Sequence, residues 1–168
     1  MRGVSGAGTP FDWPTAIGYS RQPFANVVAG PGALVAGPDG CFLGRFGWTD
    51  PNSGQVSNAF VAGGLLGFVL PVVQWWNYQR VRPTRDASGY PVLELRAGLP
   101  CVLAATGDFY ARFPFPAQAG QRVFVDPATG LPYGADGGGY VATKWTVMES
   151  SCGCNGRLRI SSFAVPFN

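Results

Sequence analysis

Residues able to do chemistry are few in this chain of 168 residues, and histidine is missing altogether. That removes the commonest general base, the usual partner of a nucleophile and most transition-metal sites. Nine carboxylates remain, of which Glu94, Asp108 and Asp126 are the candidates for acid–base work. No two of them stand at a mechanistic spacing, and Asp108 and Asp126 occupy positions that turns favour. The run Ser150-Ser151-Cys152-Gly153-Cys154 offers nucleophiles, but a thiolate without histidine needs another activator and the sequence supplies none. A tight turn between the last two strands is the better reading. Gly134–Tyr140 (GADGGGY) is glycine-rich, yet it lacks the Gly-Lys-Ser/Thr ending and following helix of a phosphate loop, and reads as a flexible loop.

The four cysteines are Cys41, Cys101, Cys152 and Cys154. One pair has a single residue between its members and the other two are sixty residues apart, which does not fit a four-cysteine zinc site. Cys41 and Cys101 read as small core residues in strands, and all four as reduced thiols. No apolar secretory segment is expected in the opening residues. No metal, cofactor or catalytic group is expected, so the chain reads as a binding protein and not as an enzyme.

The basic residues sum to 12 and the acidic to 9, and every basic residue except Lys144 is Arg. They are scattered, with Arg80, Arg82 and Arg85 the closest group, and Pro83 is expected to end that strand before a basic stripe forms. Nucleic acid is not an expected partner. Arg suits bidentate contact with a protein carboxylate. Ala59–Val73 is nearly all apolar, but fifteen residues broken by Gly63, Gly64, Gly67 and Pro71 fall short of a membrane span; buried strand plus loop is expected instead. Gln74-Trp75-Trp76-Asn77-Tyr78 is the densest polar–aromatic cluster. On a strand Trp75 and Trp76 face opposite ways, so one is expected in the core and one outward, where it suits a sugar ring or a protein interface.

These side chains must be positioned by short strands. The chain is 46% hydrophobic, 14% aromatic and 12% charged, with 25 Gly and 15 Pro, which excludes helical bundles and disordered polyelectrolytes. Residues 1–37 carry Gly and Pro too closely spaced for helix, with Phe11, Trp13, Tyr19 and Phe24 interleaved; an extended arm lying on its own domain or on a neighbour is expected. Residues 38–168 are expected to form one domain of about eight to ten short antiparallel strands, a compact β-barrel or β-sandwich. Residues 41–48 and 55–60 read as a hairpin, 82–91 as a loop, and 92–98 with 101–107 as a strand pair. DFYARF (108–113) alternates, with Phe109, Ala111 and Phe113 on one face and Tyr110 and Arg112 on the other. QRVFV and LPYG are joined by DPATG, a hairpin loop in which Asp126 bonds the backbone ahead and Gly130 takes positive φ.

The order of the motifs FLGRFGW (42–48), GQVSN (54–58), GFVLP (67–71), AGLPCVLAATGDFYARF (97–113), GQRVFVDPATG (120–130) and ATKWTVMESSCGCNGRLRISSF (142–163) resembles the structural cement, or head decoration, proteins of tailed-phage capsids. Ala111 and the Cys152-Gly153-Cys154 turn depart from the pattern. The resemblance implies a non-enzymatic protein that binds the outer surface of the major capsid protein lattice, as a dimer or trimer at a local symmetry axis, on virions assembled in the host cytoplasm. Under that reading Phe11, Trp13, Tyr19, Phe24, Trp75, Trp76, Arg80 and Arg82 are the expected interface residues. A carbohydrate- or receptor-binding virion module built on the Trp75–Tyr78 cluster is the alternative.

Overall fold

The computed structural model describes residues 33–71 and 81–164. They form 13 strands and no helix, so the all-β expectation holds. Three sheets stack as layers. The middle sheet has the order β1-β4-β3-β5-β8, built from β1 (Val35–Ala36), β3 (Phe46–Thr49), β4 (Gln55–Ser57), β5 (Leu65–Pro71) and β8 (Cys101–Ala104). One outer sheet has the order β11-β10-β12-β13-β9, from β9 (Asp108–Phe113), β10 (Arg122–Val125), β11 (Pro132–Tyr133), β12 (Val141–Val147) and β13 (Gly156–Ser161). The other is β2-β7-β6, from β2 (Cys41–Phe42), β6 (Val81–Arg85) and β7 (Pro91–Leu95). All pairings are antiparallel except β1 with β4, which is parallel.

The middle sheet is buried on both faces, which explains why its sequence reads as an apolar run and not as an alternation. Phe68 and Leu70 of β5 join Phe46, Trp48, Phe109, Phe113, Trp145 and Ile160 in one core against the five-stranded outer sheet. Val69, between them, joins Val56, Leu93, Leu95, Cys101 and Leu103 in a second core against the small sheet. The first core is aromatic at its centre: Phe46 meets Phe68 and Trp145 edge-on at centroid distances of 5.4 and 5.8 Å, and Phe68 stacks on Phe109 at 5.1 Å. Gly47 and Gly67 pair across β3 and β5. A Cβ on Gly47 would lie 2.8 Å from Val69 and one on Gly67 2.7 Å from Leu103, so these glycines admit the side chains of the second core.

The five-stranded outer sheet curls until its edge strands β9 and β11 approach each other. Between the pairs Arg122–Thr146 and Phe124–Ala142 the extra residues lie on β12, which bulges there, and Thr143 within it donates its hydroxyl to the Val123 carbonyl at 2.7 Å. The DPATG loop behaves as expected: Asp126 accepts from Ala128 N–H and from the Thr129 hydroxyl, and Gly130 has φ 70°.

Two expectations are corrected. Residues 82–91 are not a loop: Val81–Arg85 and Pro91–Leu95 form a full hairpin, with Pro83 opposite Leu93. Pro83 does not end the strand, because β6 is an edge strand in this sheet and a missing donor there breaks no ladder between strands. Nor do residues 92–98 pair with 101–107. β7 pairs with β2 and β6, whereas β8 pairs with β5, so the turn at Gly98 passes the chain from one layer to the next. Of the span read as an arm, residues 33–37 fall within the described part, with Leu34 and Ala36 in the second core.

Candidate protein-contact surfaces

The best-organised polar group lies between the layers. Asp86, in the turn between β6 and β7, has a side chain only 5% exposed. Its Oδ2 accepts from Arg45 at 2.5 Å and from Arg112 at 2.6 Å, while its Oδ1 accepts from the Ser88 hydroxyl and the Tyr90 N–H. Burial alone would raise its pKa, but these hydrogen bonds and the two guanidinium charges hold it at about 2. Arg112 is further fixed by Asn155, whose Oδ1 accepts at 3.0 and 2.6 Å, and by the Tyr90 ring, 3.6 Å from its guanidinium carbon. Asn155 stands in the left-handed region at φ 57°, which asparagine tolerates. The group therefore ties the β6–β7 turn to β9, to the start of β13 and to the segment before β3. An enclosed carboxylate that is ionised and saturated with donors has no proton to give and is a poor base, so this site is an electrostatic clamp.

Cys41, Cys101, Asp108 and Asp126 are also occupied within the fold. Cys41 and Cys101 are buried and free, as expected; the hydrogen bond to Cys101 and burial push the Cys41 thiol well up, keeping it protonated. Asp108 pairs with Arg159 at 3.1 Å, and Asp126 is spent on its own turn. Cys152 and Cys154 are exposed in the turn before β13. No group of three or more metal-ligating side chains occurs among the described residues.

Among the described residues four large apolar side chains stand exposed, Phe60, Leu65, Phe115 and Phe163. Phe60, between β4 and β5, is 54% exposed and Leu65, the first residue of β5, is 49% exposed, large values for such side chains. The loop that joins them is fixed. Phe60 donates its N–H to the Pro127 carbonyl at 2.7 Å and sets its ring edge-on to the buried Trp48 at 5.8 Å, and Gly64 N–H closes on Val61 at 2.9 Å. Beneath it, Asn58, the last residue of the GQVSN motif, donates to the Phe42 and Phe46 carbonyls and accepts from Phe42 N–H. A second apolar surface lies at the closing edge of the curled sheet, where the Phe115, Tyr133 and Tyr140 rings form a row. Burial and the neighbouring Tyr140 push the Tyr133 hydroxyl up to about 12.

Of the interface residues expected from the sequence, Arg82 alone is among those described. It lies on edge strand β6, 56% exposed, with Nε and Nη2 both on Glu94 Oε2. Phe11, Trp13, Tyr19, Phe24, Trp75, Trp76 and Arg80 lie outside the described residues. The sequence reading missed Asp86, although Asp86-Ala87-Ser88-Gly89 repeats the signal that had located the Asp126 turn. Phe60 and Leu65 carried no such signal, since an apolar run does not say which of its members stay outside.

The described residues thus form a layered β domain with one buried ionic clamp and a few large apolar side chains exposed on fixed backbone. The family model described as XM1 gp53 minor capsid protein matches residues 7–162, and the chain belongs to that family of phage capsid-associated proteins. Its role is structural, within the capsid. No curated protein matches the chain.

Proposed function

We propose that this minor capsid protein is a head decoration or cement protein, bound to the outer surface of the major capsid protein lattice. The observation that carries this reading is the exposed pair Phe60, on the β4–β5 loop, and Leu65, where β5 begins. Rigid backbone that exposes two large apolar side chains loses little conformational entropy on docking, so most of the apolar area it buries appears as affinity. Assembly as a dimer or trimer at a local symmetry axis would multiply a modest contact, because the second and third contacts form at high effective concentration. The aromatic residues Phe11, Trp13, Tyr19 and Phe24 of the N-terminal arm, and Trp75, Trp76, Arg80 and Arg82, are proposed as further contact residues.

Mixing the purified protein with preassembled capsids that lack it tests this directly. Co-sedimentation at a copy number set by the lattice supports external decoration. Failure to bind intact capsids, with incorporation only during assembly, would assign the protein to the interior or to a vertex. Deleting residues 1–30 should weaken attachment while leaving the domain folded, read by pelleting and by near-ultraviolet circular dichroism; undiminished attachment would remove the arm from the contact.

A further inference from the structure

Cys41 and Cys101 belong to different sheets yet meet. Cys41 opens β2, at an edge of the small sheet, and Cys101 opens β8, at an edge of the middle sheet. The backbone before Cys41 brings the two together. Cys101 N–H donates to the Leu34 carbonyl at 3.0 Å, Ala36 N–H to the Leu99 carbonyl at 2.9 Å and Gly98 N–H to the Ala36 carbonyl at 2.8 Å, so Leu34–Ala36 runs along Gly98–Cys101. A turn closed by Gly40 N–H on the Gly37 carbonyl at 2.9 Å, with Gly40 at φ 73°, then returns the chain to Cys41. Both side chains are buried in the second core, and their thiols hydrogen-bond to each other.

Two thiols in hydrogen-bond contact need little backbone movement to reach the S–S distance of about 2.05 Å. β2 pairs with β7, and β8 with β5, so a covalent bond here staples the small sheet to the middle sheet and closes a loop between cysteines sixty residues apart. We propose that Cys41 and Cys101 are a disulfide site, reduced in the structure and converted by a small-molecule disulfide into a bond between the two layers. One cysteine thiolate attacks a sulfur of the external disulfide and expels half of it as a thiolate. The other cysteine thiolate then attacks the cysteine sulfur of that mixed disulfide and expels the second half. Two cysteine thiols are oxidised, one external disulfide is reduced to two thiols, and the cysteine protons pass to the leaving sulfurs. Burial keeps Cys41 protonated and out of reach of the oxidant, so exchange runs through opening of the two-residue strand β2. The finished bond is shielded from reductants by the same burial. A protein of a virus particle passes from a reducing cell to an oxidising medium, and that passage supplies the oxidant.

The bond is a property of the isolated chain and does not depend on capsid attachment. Cys152 and Cys154 are exposed, so the full-length chain is prepared with Cys152→Ser and Cys154→Ser to leave only the buried pair. The reduced, folded protein is incubated with oxidised glutathione, in buffer and in urea below the unfolding transition, where local opening is more frequent. Peptide masses, thiol titration in denaturant and thermal unfolding are then measured. The expected product is a monomer lighter by two hydrogens, with the Cys41 and Cys101 peptides joined and no glutathione retained. Its thermal midpoint lies about 10 °C above that of the reduced chain, as for closing a loop of this length. Cys41→Ala and Cys101→Ala, each added to the same background, show no such rise on oxidation. Thiols that persist in both conditions, glutathione adducts as the end product, links between chains, or a bonded form no more stable than the reduced one would overturn the proposal.

Discussion

Asp86 neutralises two guanidinium groups that are themselves buried, so its loss leaves both uncompensated. Asp86→Ala should cost about 3–5 kcal/mol, by the usual cost of breaking a buried pair, measured by urea unfolding. Arg82→Ala, which removes a half-exposed partner of Glu94, should change stability by no more than about 1 kcal/mol. The carboxylate also sets an acid limit. Its folded-state pKa of about 2 lies below its ordinary value of 3.8, so it contributes in full above pH 3.8 and loses that contribution as pH falls through 2. After allowance for solvent screening the loss should be about 1–2 kcal/mol, seen as lower urea midpoints between those pH values in the wild type. The same scale shows what sequence could not convey. The alternation of DFYARF placed Phe109, Ala111 and Phe113 inward as found, but it also placed Arg112 outward, and Arg112 is 7% exposed. Its partner comes from a turn 26 residues away, a distance over which periodicity carries no information.

Elements follow the same division. Local signals located the β3–β4 and β10–β11 hairpins, since each is encoded by its own turn residues. Gly130 shows how tightly one such turn is bound into the rest: its carbonyl accepts from Phe46 N–H at 2.9 Å, and a Cβ on it would lie 2.1 Å from the Phe46 oxygen at φ 70°. Gly130→Ala should therefore destabilise the fold by more than about 1 kcal/mol and lower the thermal midpoint, whereas Gly63→Ala, with open space around it, should carry only its backbone strain. Which strands neighbour one another across layers was not legible. The Gly98 turn looked like a hairpin because hairpin and layer crossing use the same residues; only the second core, formed by Val69, Leu93, Leu95 and Leu103 together, decides between them.

At the scale of the whole molecule, a low charge and a high content of Gly and Pro have one structural cause. Three thin sheets need many turns, and the middle sheet, covered on both faces, needs no polar side. Among the described residues, Arg45, Arg82, Arg112 and Arg159 meet carboxylates of this protein. An Arg paired with a carboxylate of its own chain has less charge to offer a partner, which favours apolar contact in recognition. Capsid attachment should accordingly depend little on salt, since screening acts on exposed charges and not on buried apolar area; pelleting across a salt series checks this.

The most direct test is attachment of a Phe60→Ser, Leu65→Ser double variant to preassembled capsids, beside the wild type, with thermal unfolding measured on both. Both side chains are about half exposed, so the thermal midpoint should hold within a few degrees. The capsid contact described here predicts at least a tenfold loss of affinity, the consequence of losing about 1.4 kcal/mol or more. A variant that is equally stable and binds as well as the wild type would contradict it.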